Sequence, residues 1–136
     1  MTNEGGCACG KVRYSFSGDP IMMGQCHCRA CQRDSGTGHA SHLAVPAEGF
    51  SISGPIKFWD SVADSGNTVS RGFCAECGSP VSSRNSGMPQ MAFVRAASLD
   101  DPALFKPQMV VWASARQPWD HLDPALPSFD QMPPGM

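Results

Sequence analysis

The chain has 136 residues, 41% hydrophobic and 16% charged, with a formal net charge of −2 and a pI near 6.0. That length is read as a single domain over 1–136, long enough to remove roughly two thirds of its unfolded surface from water. The balanced charge, with no basic stripe, argues against phosphate-driven nucleic-acid binding.

The opening stretch, MTNEGGCACGKVRYSFSG, carries no basic segment followed by an apolar run. No apolar stretch approaches about 18 residues, so the expectation is a cytoplasmic protein that does not enter a membrane. Val12, Tyr14 and Phe16 alternate with Lys11, Arg13, Ser15 and Ser17, the period-two pattern of a strand with one buried face. A turn or two of helix is expected after Cys28. Phe50 and Ile52, then Ile56 and Phe58, suggest a hairpin around Gly54 and Pro55. Further strands are read in VSRGF, QMAFVRAAS and QMVVWAS, and Pro102 in LDDPALF suits a first helical turn. From Gln117 onward the tail is Pro-rich and expected to be irregular. With 14 Gly and 12 Pro, the whole reads as a mostly β domain with little helix.

The seven cysteines carry the chemistry. In a reducing compartment they are not a disulfide framework, and an odd number cannot all pair within one chain. They fall into CACG (Cys7, Cys9), CHCRAC (Cys26, Cys28, Cys31) and CAEC (Cys74, Cys77). A C-x-C pair on an extended segment points both sulfurs to one face, and C-x-x-C followed by Gly78 wraps a tight turn around a metal. Cys26, Cys28 and Cys31 are close enough to hold one ion locally. That leaves Cys7, Cys9, Cys74 and Cys77 as a complete set of four, giving one closed, structural zinc and one open site. Three alternatives stay open. The triad is a second structural zinc completed by His27, His39 or His42; it is a redox dithiol with a spare thiol; or Cys26 and Cys28 pair with the CAEC knuckle, a less compact partition.

The order GGCACGKVRY, CHCRACQRDSG, FCAECGSPV, then SLDDP and VVWASARQPW, closely resembles the glutathione-dependent formaldehyde-activating enzymes, the GFA or centromere-protein-V-like family. The resemblance runs from Gly5 to about Trp119. It implies a β-rich zinc fold of small, tent-like sheets. It also implies a structural zinc on Cys7, Cys9, Cys74 and Cys77, and a more labile catalytic zinc on Cys26, Cys28 and Cys31. The implied reaction is the reversible joining of glutathione and formaldehyde into S-hydroxymethylglutathione, a carbon-sulfur lyase activity. One departure stands out: where members commonly carry a histidine ahead of the aliphatic and aromatic pair, here Val111 and Trp112, this chain has Val110.

An open zinc with three thiolates can hold an incoming thiol deprotonated, and that thiolate would attack the aldehyde carbon. His27 is the expected proton shuttle beside the site. Glutathione brings two carboxylates, and Arg29 and Arg33 flank the triad as the nearest cations in sequence. Trp59 and Trp112 could line a pocket, though aromatics in strand-like segments more often fill the core. The expected partners are a small thiol and an aldehyde. The rival readings are a non-catalytic zinc module that binds a protein partner, and a lyase acting on a different thiol or aldehyde.

Overall fold

The computed structural model describes residues 2–134, in which strands dominate and helix is confined to one short α-helix and three 3-10 turns. In the first sheet β2 (Arg13–Ser17) lies between β1 (Thr2–Gly6) and the short β5 (Ser51–Ser53), both antiparallel to it. The period-two reading of this stretch holds. Val12, Tyr14 and Phe16 are 0%, 3% and 1% exposed, so their apolar face is the one covered by the second sheet.

That second sheet has seven strands in the order β10-β3-β4-β9-β8-β7-β6. They are β3 (Met22–Cys26), β4 (Ala40–Pro46), β6 (Ile56–Val62), β7 (Thr68–Cys74), β8 (Pro80–Asn85), β9 (Met91–Arg95) and β10 (Met109–Val111). Each pairing is antiparallel except β10 with β3. Leu43, Val45, Val81 and Val94, on the central strands, meet Val12, Tyr14 and Phe16 in one core, which also buries Cys7 and Cys74.

The expected hairpin at Gly54 and Pro55 is instead a crossing between sheets. β5 pairs with β2, while β6 pairs with β7, so the two segments flanking the turn never pair with each other. Gly54 is required there. Its φ is +106, and a Cβ would fall 2.1 Å from the Lys11 carbonyl oxygen. The expected helix after Cys28 is α1 (Arg29–Ser35), ended by Gly36 in the left-handed conformation. LDDPALF gives a 3-10 turn over Pro102–Leu104, capped by the Asp101 side chain on the Ala103 amide.

The tail is irregular but docked. The Val110 amide donates to Pro127, the Phe129 amide donates to Val110, and the Trp112 amide donates to Gln131, which covers the free edge of β10. Val110, where the resemblance leads to the expectation of a histidine, is fully buried in this edge. No helix among the described residues is long and apolar enough to cross a membrane.

Gly5 shows how tightly the small sheet is fitted. It faces Tyr14 across β1 and β2, and a Cβ on it would lie 2.2 Å from the Tyr14 hydroxyl and 2.4 Å from the Ser98 carbonyl oxygen. Gly5→Ala should therefore destabilise the protein by about 1–3 kcal/mol, the usual cost of overpacking. It should also break the 2.7 Å Tyr14–Ser98 hydroxyl bond. Urea titration checks the first. An unchanged midpoint would show that β1 yields without strain.

Candidate metal and thiol centre

The closed site forms where two turns meet. Cys7 and Cys9 lie in the turn after β1 rather than on a strand, so turn geometry, not strand alternation, brings their sulfurs together. Cys74 ends β7 and Cys77 follows in the next turn. Gly10 and Gly78, one residue past each pair, both have φ +80, which lets the chain curl back beneath the sulfurs. The four Sγ atoms lie within 4.8 Å of one another, with Cys7–Cys9 at 3.5 Å and Cys9–Cys74 at 3.7 Å. A tetrahedral zinc with bonds of about 2.3 Å spaces its sulfurs by about 3.8 Å, so this set fits the ion. Amides of Val12, Glu76 and Cys77 point at the Cys7 and Cys74 sulfurs, and against burial the Val12 amide with the neighbouring thiols pulls the Cys7 thiol down. Hydrogen bonds from Ser79 pull Cys77 down to about 5.

The open site sits on β3, four strands across the large sheet from β7. Cys26 is the last residue of β3, Cys28 caps α1 by accepting the Cys31 amide at 3.3 Å, and Cys31 lies buried in the first turn of the helix. These three sulfurs also lie within 4.8 Å of one another, and the grouping contains no fourth protein ligand among the described residues. Their charges are coupled. Donation from Cys26 and Cys31 pulls Cys28 strongly down, while Cys28 and Cys31 together push Cys26 up. One negative charge is favourable here and three are not, unless a cation joins them.

His42 approaches this triad without completing it. Its Nε2 is 3.8 Å from Cys31 Sγ, and its Nδ1 is 2.5 Å from Arg95 Nη1. The same Nη1 is also 3.2 Å from Nε2, so the guanidinium, which has no acceptor, lies against both ring nitrogens. Burial, then Arg95, pulls His42 down to about 3, so the ring is neutral. Its Nε2 lies against both Cys31 and Arg95, and the ring does not join the three thiols as a fourth ligand.

Of the residues expected at the substrate side, Arg29 and Arg33 are exposed. They lie two positions either side of Cys31, which on a helix is about 200° away, the opposite face. Arg29 donates instead to Gln32. The cations whose charge reaches the thiols are Arg95 and Arg71, which sequence reading missed. Arg95 is 6% exposed, donates to Asp34 and faces Cys31; Arg71, on β7, favours the Cys28 thiolate. His27 is buried at 1% exposure and lies with His39 and Asp120, not with the thiols. Gln32 fixes this loop, donating to the His27 carbonyl at 2.7 Å and the Ala115 carbonyl at 3.0 Å. Trp59 is 62% exposed on the edge strand β6, and Trp112 sits at φ 57 just past the β10 residue paired with Cys26. A separate cleft of about 470 Å³ between β5 and the β7–β8 ribbon, lined in part by Phe50, Ile52 and Arg84, contains no cysteine.

A β-rich scaffold carrying one closed set of four thiols and one open set of three has the donor sets of a protein that could hold zinc on cysteine. The family model described as glutathione-dependent formaldehyde-activating enzyme matches residues 2–115, and the chain belongs to that GFA family. The crystal structure of a Rhodobacter sphaeroides protein shares the fold, with a TM-score of 0.59 at 14% identity, over 93% of this chain and 98% of that one. No curated protein matches.

Proposed function

We propose that this chain is a carbon-sulfur lyase that reversibly joins glutathione, or a related small thiol, to formaldehyde. The observation that carries the reading is the three-thiol cluster, which has no fourth protein ligand among the described residues and whose thiolates are favoured by the charges of buried Arg95 and half-buried Arg71. Family membership supports the same reaction class. Zinc held by Cys26, Cys28 and Cys31 would supply a position at which an incoming thiol stays deprotonated at neutral pH.

The chain's own groups do the rest. Arg95 and Arg71 offset the negative charge of the sulfurs and offer fixed positive charge to a substrate carboxylate. Asp34 holds Arg95 in place, and neutral His42 packs against both Arg95 and the Cys31 sulfur. In the forward direction the substrate sulfur forms a bond to the aldehyde carbon, the carbonyl π electrons move to oxygen, and the proton lost by the thiol is returned there. The product is the S-hydroxymethyl adduct, and no oxidant or reductant is needed.

Exchange NMR on zinc-loaded protein measures interconversion of glutathione, formaldehyde and their adduct above the spontaneous rate. Cys28→Ser should abolish the acceleration, at least about 100-fold, because it removes a ligand of the open centre while leaving the four-thiol site intact. An acceleration that survives this substitution would separate catalysis from the triad. No acceleration in the wild type would leave another thiol or aldehyde as substrate, or a zinc module without catalysis.

A further inference from the structure

We propose a third metal site, formed by His27, His39 and Asp120, that takes a divalent cation of the first transition row on two imidazole nitrogens and one carboxylate oxygen. The three donor atoms lie within 4.8 Å of one another. His39 Nδ1 is 2.6 Å from Asp120 Oδ2, and His27 Nδ1 is 3.5 Å from the same oxygen. The second distance is too long for a hydrogen bond, but it is close to the edge of a tetrahedron built on metal bonds of about 2.0–2.1 Å, which is about 3.3 Å.

An independent observation points to a missing ligand. His27 is 1% exposed, and neither of its ring nitrogens has a hydrogen-bond partner. A buried imidazole left unpaired at both nitrogens is costly, and an ion on Nδ1 would satisfy the nitrogen that faces Asp120. Backbone position explains why the ring is there. His27 stands between Cys26 and Cys28, its amide donating to the Val111 carbonyl at 3.0 Å, and the ring packs against His39 with centroids 4.9 Å apart.

The carboxylate is seated by a glycine. A Cβ on Gly38 would fall 2.2 Å from Asp120 Oδ2, so any other residue would push the carboxylate out. His39 and Asp120 side chains are 25% and 16% exposed, which gives an ion a path from solvent. On binding, His39 Nδ1 and Asp120 Oδ2 exchange their contact with each other for bonds to the cation, and the proton they share passes to His39 Nε2 or to solvent. Two nitrogens and one oxygen suit a borderline cation such as zinc, cobalt or nickel, whereas the cysteine centres select a thiophilic one. The ion would tie the loop of the open thiol centre to the C-terminal segment through Asp120.

Cobalt(II) is the probe. Protein whose cysteine centres are filled with zinc is titrated with cobalt, and visible absorption separates the sites, because cobalt on thiolates shows sulfur-to-metal charge transfer and cobalt on nitrogen and oxygen does not. The expected result is one additional equivalent with d–d bands and no charge transfer. His39→Ala and the nearly isosteric Asp120→Asn should each weaken it by more than about 100-fold, beyond the range that outer partners of a metal contribute. Both should retain the zinc of the cysteine centres and a wild-type circular dichroism spectrum. The proposal falls if wild type takes up no such equivalent, or if the extra cobalt survives both substitutions.

Discussion

Cys74→Ala should leave the protein without a stable native state. Cys74 is fully buried at the end of β7 and joins, through the four-thiol set, two turns far apart in the chain. One of those turns belongs to the small sheet and the other to the large one, so a zinc held there would fasten the sheets to each other. A structural zinc of this kind contributes on the order of 10 kcal/mol of folding free energy. A domain of this size has about 5–15 kcal/mol of net stability in all. Removing the ion therefore removes most or all of the margin. The variant is expected to lose near-ultraviolet circular dichroism and cooperative urea unfolding, and chelation of wild-type zinc should do the same. Cys28→Ser, at the open centre, is the internal comparison and should remain folded. If Cys74→Ala unfolds cooperatively within about 2 kcal/mol of the wild type, the four thiols are not what holds the sheets together.

The ligand sets were legible because their information is local. Spacing within CACG, CHCRAC and CAEC, with glycines after the outer pairs, favours one partition of the sulfurs over the others, and the structure gathers the thiols in those two groups. Strand alternation around Tyr14 was equally plain, since one face had to be buried. What failed depended on long-range pairing. His42 and Arg95 are register partners across β4 and β9, a relation that no spacing in the chain reveals. Nearness in sequence pointed instead to Arg29 and Arg33, which helical geometry turns away, while Asp34, three residues past Cys31, shares its face of α1 and meets Arg95. β8 was hidden for another reason. Its PVSSRN has the composition of a loop, yet Ser82 and Ser83 are buried because the strand lies between β7 and β9.

Arg95→Met should cost both stability and, on the proposed reaction, rate. The guanidinium is 6% exposed and is held by Asp34 on one side and His42 on the other. Burial pulls its pKa down from the usual arginine range, but an arginine remains a cation in a protein, so the pair is ionic. Removing one member of a buried pair strands the other, which costs about 3–5 kcal/mol. Asp34 keeps a partial path to solvent at 16% exposure, which places the expected loss near the lower end, about 3 kcal/mol. Asp34→Leu combined with Arg95→Met should recover part of that loss, because no unpaired charge is then left behind, and a double-mutant cycle in urea measures it. The rate should behave differently. The double variant still lacks the cation that faces Cys31, so adduct exchange should stay as slow as in Arg95→Met alone. Recovery of rate together with stability would mean that Arg95 only holds α1 against the sheet and does nothing at the thiols.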